Sequence, residues 1–154
     1  MRPITVRTAT AADLDTLFEF EQGVIRAERP FDPTLRAGHI HYYDLAALLD
    51  DAGADLVLAE RDGNVLGSGY ARVVAAKPFN AHTHYAYLGF MYVRPEARGQ
   101  GINALVLEAL EERARARGLA ELRLEVYAGN APAIRAYEKA GFTPLLVEMR
   151  KPVV

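Results

Sequence analysis

The sequence predicts an α/β (α+β) fold with a mixed, mostly antiparallel central sheet and helices on both faces. Three observations carry this expectation. Extended segments joined by short turns succeed one another between residues 55 and 93. Segments with helical spacing of apolar residues precede and follow them. Beyond residue 93 the chain reads helix, strand, helix, strand, so the full order is strand, two helices, three hairpin-joined strands, helix, strand, helix, strand.

Residues 4–8 alternate apolar and polar and predict a short strand. Thr10 is a helix N-cap, with Asp13 three residues on completing a capping box. That helix carries Leu14, Leu17, Phe18 and Phe20 and ends between Gly23 and Glu28. Arg29-Pro30-Phe31-Asp32-Pro33 is a loop because of its prolines. The spacing of Tyr43, Ala47 and Leu48 predicts a second helix over 40–50. Residues 55–60 form a strand, 61–64 a hairpin turn, and 65–75 the returning strand, whose Gly67 and Gly69 signal a bulge or a close backbone approach. Residues 77–80 are a loop, and 83–93 a tyrosine-rich strand. Ile102, Leu105, Val106, Ala109 and Leu110 have helical spacing, and Gly118 ends their helix with Arg113, Arg115 and Arg117 near its negative end. A strand over 121–127, a helix capped by Asn130 and ended by Gly141, and an extended segment over 142–151 complete the chain.

Composition narrows the function. A chain of 154 residues predicts one domain, 1–154, with a core that needs no staples. Hydrophobic residues at 51% and charged residues at 25% exclude intrinsic disorder. A net charge of −2 argues against a nucleic-acid partner. The absence of cysteine excludes disulfides, thiolate metal sites and a cysteine nucleophile. The first residues lack the apolar stretch of a signal peptide, and no apolar run approaches the roughly 18 residues that span a bilayer. A soluble, cytoplasmic chain without a membrane partner is the expectation.

The informative stretch is strand, RPEARGQGIN, helix. Two glycines let backbone approach a ligand, and the first turn of a helix offers unpaired N–H groups and a positive dipole end. Together they suit a phosphate group, and Arg98 beside them adds a guanidinium fork. The bland alternative is a turn that needs glycine. Gly99, Gly101 and Ala104 also match G-x-G-x-x-A, a dinucleotide fingerprint, with Glu121 and Glu125 downstream. Against it stand the residues separating Val93 from Gly99, the antiparallel strands before it, and a remaining chain too short for a second mononucleotide half.

The run from Tyr87 to Phe142 resembles the GNAT superfamily of acetyl-CoA-dependent N-acetyltransferases. The family's phosphate-loop pattern, Q/R-x-x-G-x-G/A, is met by Arg98 and Gly101, while Asn103 departs from its small third residue. The second signature, N-x-x-A-x-x-x-Y-x-x-x-G-F, is met by Asn130, Ala133, Tyr137, Gly141 and Phe142. The resemblance implies a GNAT-like fold and acetyl-CoA as co-substrate. Arg98, Gly99, Gln100, Gly101, Ile102 and Asn103 would then hold the pyrophosphate. Met91, Tyr92 and Val93 would offer backbone groups to the pantetheine arm in a gap beside residues 122–127, and Asn130 would assist.

Acetyl transfer needs a neutral amine, a polarised thioester carbonyl and a leaving thiolate. An amine of pKa about 10.4 costs roughly 4.6 kcal/mol to deprotonate at pH 7, which a base or water relay shares. By the resemblance, an N–H from 91–93 faces the developing oxyanion, and Tyr137 protonates the thiolate; its bland reading is packing beside Ile134. Many relatives place a carboxylate at the position of Gly89 or Phe90, and this sequence has none there. Glu125 is the nearest substitute, with a salt bridge to Arg123 or Arg135 as its bland reading and a water chain ending at Tyr85, Tyr87 or a histidine as the other option. Glu28, Arg29, Phe31 and Asp32 fall where the family shapes its acceptor pocket, and their mixed charges suit a small-molecule or peptide amine. His39/His41 and His82/His84 are H-x-H pairs without nearby carboxylates, and no metal is expected. The family often dimerises, so a homodimer is a candidate assembly. Two rivals differ in what they predict. A non-catalytic CoA-sensing or protein-interaction module binds CoA and acetylates nothing; a nucleotide-dependent oxidoreductase binds NAD.

Overall fold

In the computed structural model, which describes residues 2–154, five strands lie side by side in chain order. They are β1 (Thr5–Thr8), β2 (Ala54–Arg61), β3 (Asn64–Ala75), β4 (His84–Val93) and β5 (Leu122–Arg123). The first three pairings are antiparallel and β4–β5 is parallel, so the sheet is mixed, as the sequence predicts. The helices are α1 (Leu14–Glu28), α2 (Leu45–Asp50), α3 (Ile102–Ala116) and α4 (Ala131–Lys139).

Alternation along the strands divides the core into two layers. Leu56 and Leu58 face α1 and α2, meeting Leu17, Phe20, Val24 and Leu45 together with Tyr70 and Phe90. Val57 and Ala59 point the other way and meet Ile102, Val106, Leu110 and Ala114 of α3. Fully burying a Leu or Phe side chain contributes about 1.5–3 kcal/mol, so these two sets fix which face each helix covers.

Local signals act as read. The Asp13 carboxylate accepts the Thr10 N–H at 2.8 Å, and a short 3-10 turn (Ala11–Asp13) leads into α1. Asp62 and Gly63 both have positive φ (52° and 77°), the twist-matched geometry of a two-residue hairpin. Gly69 sits opposite two residues of β4, because Ser68 pairs with Tyr92 and Tyr70 with Gly89. A Cβ at Gly69 would lie 2.7 Å from Val106 and 2.8 Å from Met91 Sδ, so α3 and β4 both close on it.

Three expectations change. The helix over 40–50 starts only at Leu45. Glu21, fully buried on α1, accepts the backbone N–H groups of Tyr42 and Tyr43, each at 2.9 Å, and its other oxygen lies 2.7 Å from His41 Nδ1. These bonds keep 41–43 out of the helix, and Asp44 then caps α2 through the Ala47 N–H at 3.1 Å. The strand over 121–127 pairs for two residues only, Ala86 with Leu122 and Tyr87 with Arg123. The extended segment over 142–151 joins no strand among the described residues; Arg150 ties it to Asp32 (2.9 Å) and to Thr34 Oγ1 (2.8 Å). Phe18, one of the apolar residues along α1, is 43% exposed and meets the His41 ring edge-on.

Candidate active site

The end of β4 leads through a 3-10 turn (Pro95–Ala97) to Arg98 and the start of α3. Gly99 and Gly101 both lie in the left-handed region (φ 80° and 76°), and a Cβ on either would meet nothing within 4 Å. The glycines are therefore needed for backbone direction, and the space above them is open. Gly101 is the N-cap of α3 and supplies no side chain, so the first N–H groups of the helix, from Ile102 and Asn103 onward, have no intrahelical acceptor. Open space over unpaired donors at a positive helix end suits an anion. Arg98 Nε donates to the Val93 carbonyl (3.2 Å), and Gln100 Oε1 accepts from Arg61 (3.0 Å). Arg98 thus occupies one of the backbone groups that the resemblance allots to the pantetheine arm.

β4 carries the second feature. Phe90 is buried with φ 58°, left-handed for a residue with a side chain, in the bulge opposite Gly69. Its carbonyl accepts from the fully buried Ser68 Oγ at 2.9 Å, which pins the bulge from β3. Past Tyr87 the strand has no β5 partner, so the backbone of 88–93 is unpaired on that side. Met91, Val93 and Leu124 pack on the α3 side of the core. Tyr92 turns to the α1 side, its ring 4.9 Å from Phe20. Of the three residues read for the arm, Tyr92 contributes a core ring.

Tyr137 stands on α4, its ring edge-on to Phe142 at 5.8 Å and packed against the α3-side core. Burial, and secondarily the charge of Glu28, pushes its hydroxyl up to about 12, so it holds its proton through the neutral range. Asn130 caps α4, its Oδ1 accepting the Ala133 N–H at 3.3 Å.

The residues expected to shape an acceptor pocket come together with segments far apart in sequence. Glu28 ends α1 half-buried; burial raises its carboxyl above the usual range, with the hydrogen-bonding influence of Tyr42 opposing. Arg29 turns away, donating to the carbonyls of Arg36 (2.9 Å) and Gly38 (2.6 Å). Phe31 stacks on Tyr127 at 6.2 Å. Asp32 accepts from Thr34 Oγ1 (2.6 Å), the Thr34 N–H (3.0 Å), Arg150 and Tyr127 Oη (3.0 Å), which hold it well below the carboxylate range, Thr34 foremost. Tyr43 joins this wall to the bulge, its ring 5.0 Å from Phe90 and 5.8 Å from Tyr70.

Tyr70 explains the missing carboxylate. It lies across Gly89, and a Cβ there would stand 2.4 Å from its ring and its hydroxyl oxygen. A side chain at 89 would have to displace the Tyr70 ring, and Phe90 is core. Glu125 is exposed; its charge acts on Tyr87 and Tyr70. Burial, helped by Glu125, pushes the Tyr87 hydroxyl up to about 12, and Arg72 lies 5.7 Å from its ring centre. Arg123 pairs with Glu121 and covers Tyr85 at 4.3 Å, so it is not the partner of Glu125. Ser68, Tyr70, Tyr42 and Tyr127 carry no site signal in the sequence and Tyr43 reads there only as a helix-face residue, because only tertiary contact brings them to this region. His82 and His84 line a separate concavity of about 660 Å³ with Arg117, at the opposite end of β4 from the loop. No trio of metal-ligating side chains gathers among the described residues.

Known proteins agree with this architecture. The Acetyltransferase (GNAT) family pattern matches residues 15–142. An IAA acetyltransferase of Azospirillum brasilense is 34% identical over 126 residues, covering 73% of this chain and 76% of that protein. An L-methionine sulfoximine/L-methionine sulfone acetyltransferase of Pseudomonas aeruginosa is 37% identical over 87 residues, covering 56% of this chain; the match spans 49% of that relative's own length. In fold, a predicted acetyltransferase of Clostridium acetobutylicum solved with acetyl-CoA superposes with a TM-score of 0.73 at 19% identity, covering 96% of each chain. Open glycine loop, unpaired end of β4 and family pattern coincide over one stretch, and the chain belongs to the GNAT family of acetyltransferases, with acetyl-CoA as its co-substrate.

Proposed function

We propose that this chain moves the acetyl group of acetyl-CoA to a primary amine of a small molecule or peptide, by direct attack of the amine in a ternary complex. The observation that carries the reading is the junction at the end of β4. The unpaired N–H groups of α3 face open space there, at the end of the part of β4 that has no β5 partner. In this reading Arg98, Gly101 and the first turn of α3 hold the pyrophosphate and the arm lies along 91–93. An N–H of the bulge faces the carbonyl oxygen as negative charge develops on it. Tyr137 gives its proton to the departing thiolate. A small acceptor fits the tyrosine-lined wall, and relatives named for acetylating methionine sulfoximine and streptothricin support that class.

Thermal unfolding with acetyl-CoA beside NAD tests donor binding. A ligand at about 100 times its Kd adds roughly 2.7 kcal/mol, which is about 5–10 °C in Tm for a chain of this size. A rise with acetyl-CoA and none with NAD supports the reading; no rise with acetyl-CoA contradicts it. An amine panel then separates enzyme from sensor, since a CoA-binding module gives the shift and no acetylated product.

A further inference from the structure

We propose that Glu28 is the base that removes the proton from the acceptor's ammonium group, and that the acceptor enters as a compact organic cation; the inference rests on the amine-acetylation reading above.

The first argument is exclusion by geometry. A base on β4 is blocked, because Tyr70 fills the space a side chain at 89 would need and Phe90 is buried in the α1-side core. Asp32 is saturated by Thr34, Arg150 and Tyr127 and carries its own cation. Glu125 is exposed, and its charge acts on Tyr87 and Tyr70 and not on Tyr137. Glu28 is the half-buried carboxylate on the acceptor wall that makes no ion pair among the described residues.

The second argument is what surrounds it. The charge of Glu28 is felt at four tyrosine hydroxyls from three separate parts of the chain: Tyr42 and Tyr43 before α2, Tyr127 after β5, and Tyr137 on α4. Glu28 therefore stands within electrostatic reach of the group assigned to protonate the thiolate. Tyr42 Oη is buried near it with no hydrogen-bond partner of good geometry. A carboxylate without a cation, walled by aromatic rings, is suited to an ammonium group through charge and cation–π attraction. The charged neighbours are Asp32, which opposes loss of the Glu28 proton, and Arg150, already on Asp32; Arg29 is turned to backbone carbonyls.

The step balances as follows. The ammonium passes one proton to the Glu28 carboxylate, which releases it to water. The free amine forms the C–N bond to the thioester carbon, the C–S bond breaks, and the thiolate takes the Tyr137 proton. The surplus proton on the new amide nitrogen restores Tyr137. The net products are amide, free CoA thiol and one proton.

The test is the pH profile of kcat/KM for wild type, Glu28→Gln and Glu28→Asp, with Tm and the acetyl-CoA-induced shift measured on each. The wild type is expected to gain activity as pH rises through the carboxyl's raised range. Glu28→Gln should lose about 100-fold or more in kcat/KM and lose that acidic limb, while keeping the acetyl-CoA shift. Glu28→Asp should recover part of the rate with the limb displaced, and it carries the test if Glu28→Gln does not fold. A trimethylammonium analogue of an accepted amine should inhibit wild type and not Glu28→Gln. Retention of the rate or of the acidic limb in Glu28→Gln overturns the proposal while the acetylation reading stands. A wild type that binds acetyl-CoA and acetylates no amine overturns both.

Discussion

At the scale of the residue, the account places distinct demands on a few side chains. Tyr137→Phe removes the proton donor and keeps the ring that packs on Phe142, so kcat should fall about 100-fold with little change in acetyl-CoA affinity. Steady-state kinetics beside a binding titration check this; equal loss in both would make Tyr137 a packing residue. Ser68→Ala leaves the buried Phe90 carbonyl without its partner and should cost about 1–3 kcal/mol in denaturant unfolding. It should also loosen the bulge and lower kcat more than it raises KM for acetyl-CoA. Neither Ser68 nor Tyr70 was legible in the sequence. Ser68 reads as an ordinary strand residue until Phe90 is seen opposite, and Gly89 reads as a vacancy until Tyr70 is seen to fill it. The Asn130 cap, the Asp13 cap and the Asp62–Gly63 turn were legible because each is satisfied within a few residues of itself.

At the scale of the element, α1 does more than cover the sheet. Its buried Glu21 gathers the amides of Tyr42 and Tyr43 and so sets the acceptor wall. A carboxylate that organises chain twenty residues away has no local signature, which is why the second helix was read five residues too early. Glu21→Ala should lower Tm and raise KM for the amine, with the acetyl-CoA-induced shift retained; thermal and kinetic measurements on the same variant check this. The start of α1 gives a pH signature. The Asp13 carboxyl lies at about 2, chiefly because Arg7 donates to it. A depressed carboxyl stabilises the fold above its unfolded pKa, and that stability is lost as pH falls from about 4 towards 2. Asp13→Asn should flatten that part of the acid-unfolding curve, followed by circular dichroism; an unchanged curve would mean the Arg7 clamp contributes nothing measurable.

At the scale of the whole molecule, the sheet order and its two helical layers follow from alternation along β2 and from helical spacing in α1 and α3, all visible in the sequence. What was not visible is where β4 and β5 stop pairing. The pairing ends after Tyr87 and Arg123, although residues beyond Arg123 have strand-like composition. No helix among the described residues is long and apolar enough to cross a membrane. The segment beyond α4 exposes Leu145, Leu146, Val147 and Met149, and β5 is the last strand of the sheet. Two copies covering these patches would form a homodimer; sedimentation should then show a dimer that Leu146→Lys with Val147→Lys dissociates, and a wild-type monomer at all concentrations would contradict it.

The most direct measurement is release of free CoA thiol from acetyl-CoA on addition of primary amines. The chain has no cysteine, so a thiol reagent reads the product without background from the protein. The account predicts amine-dependent release matched one to one by acetylated amine and largely abolished in Tyr137→Phe. Tight acetyl-CoA binding with no amine-dependent release across a broad panel would contradict it, and would leave a protein that holds the donor without using it.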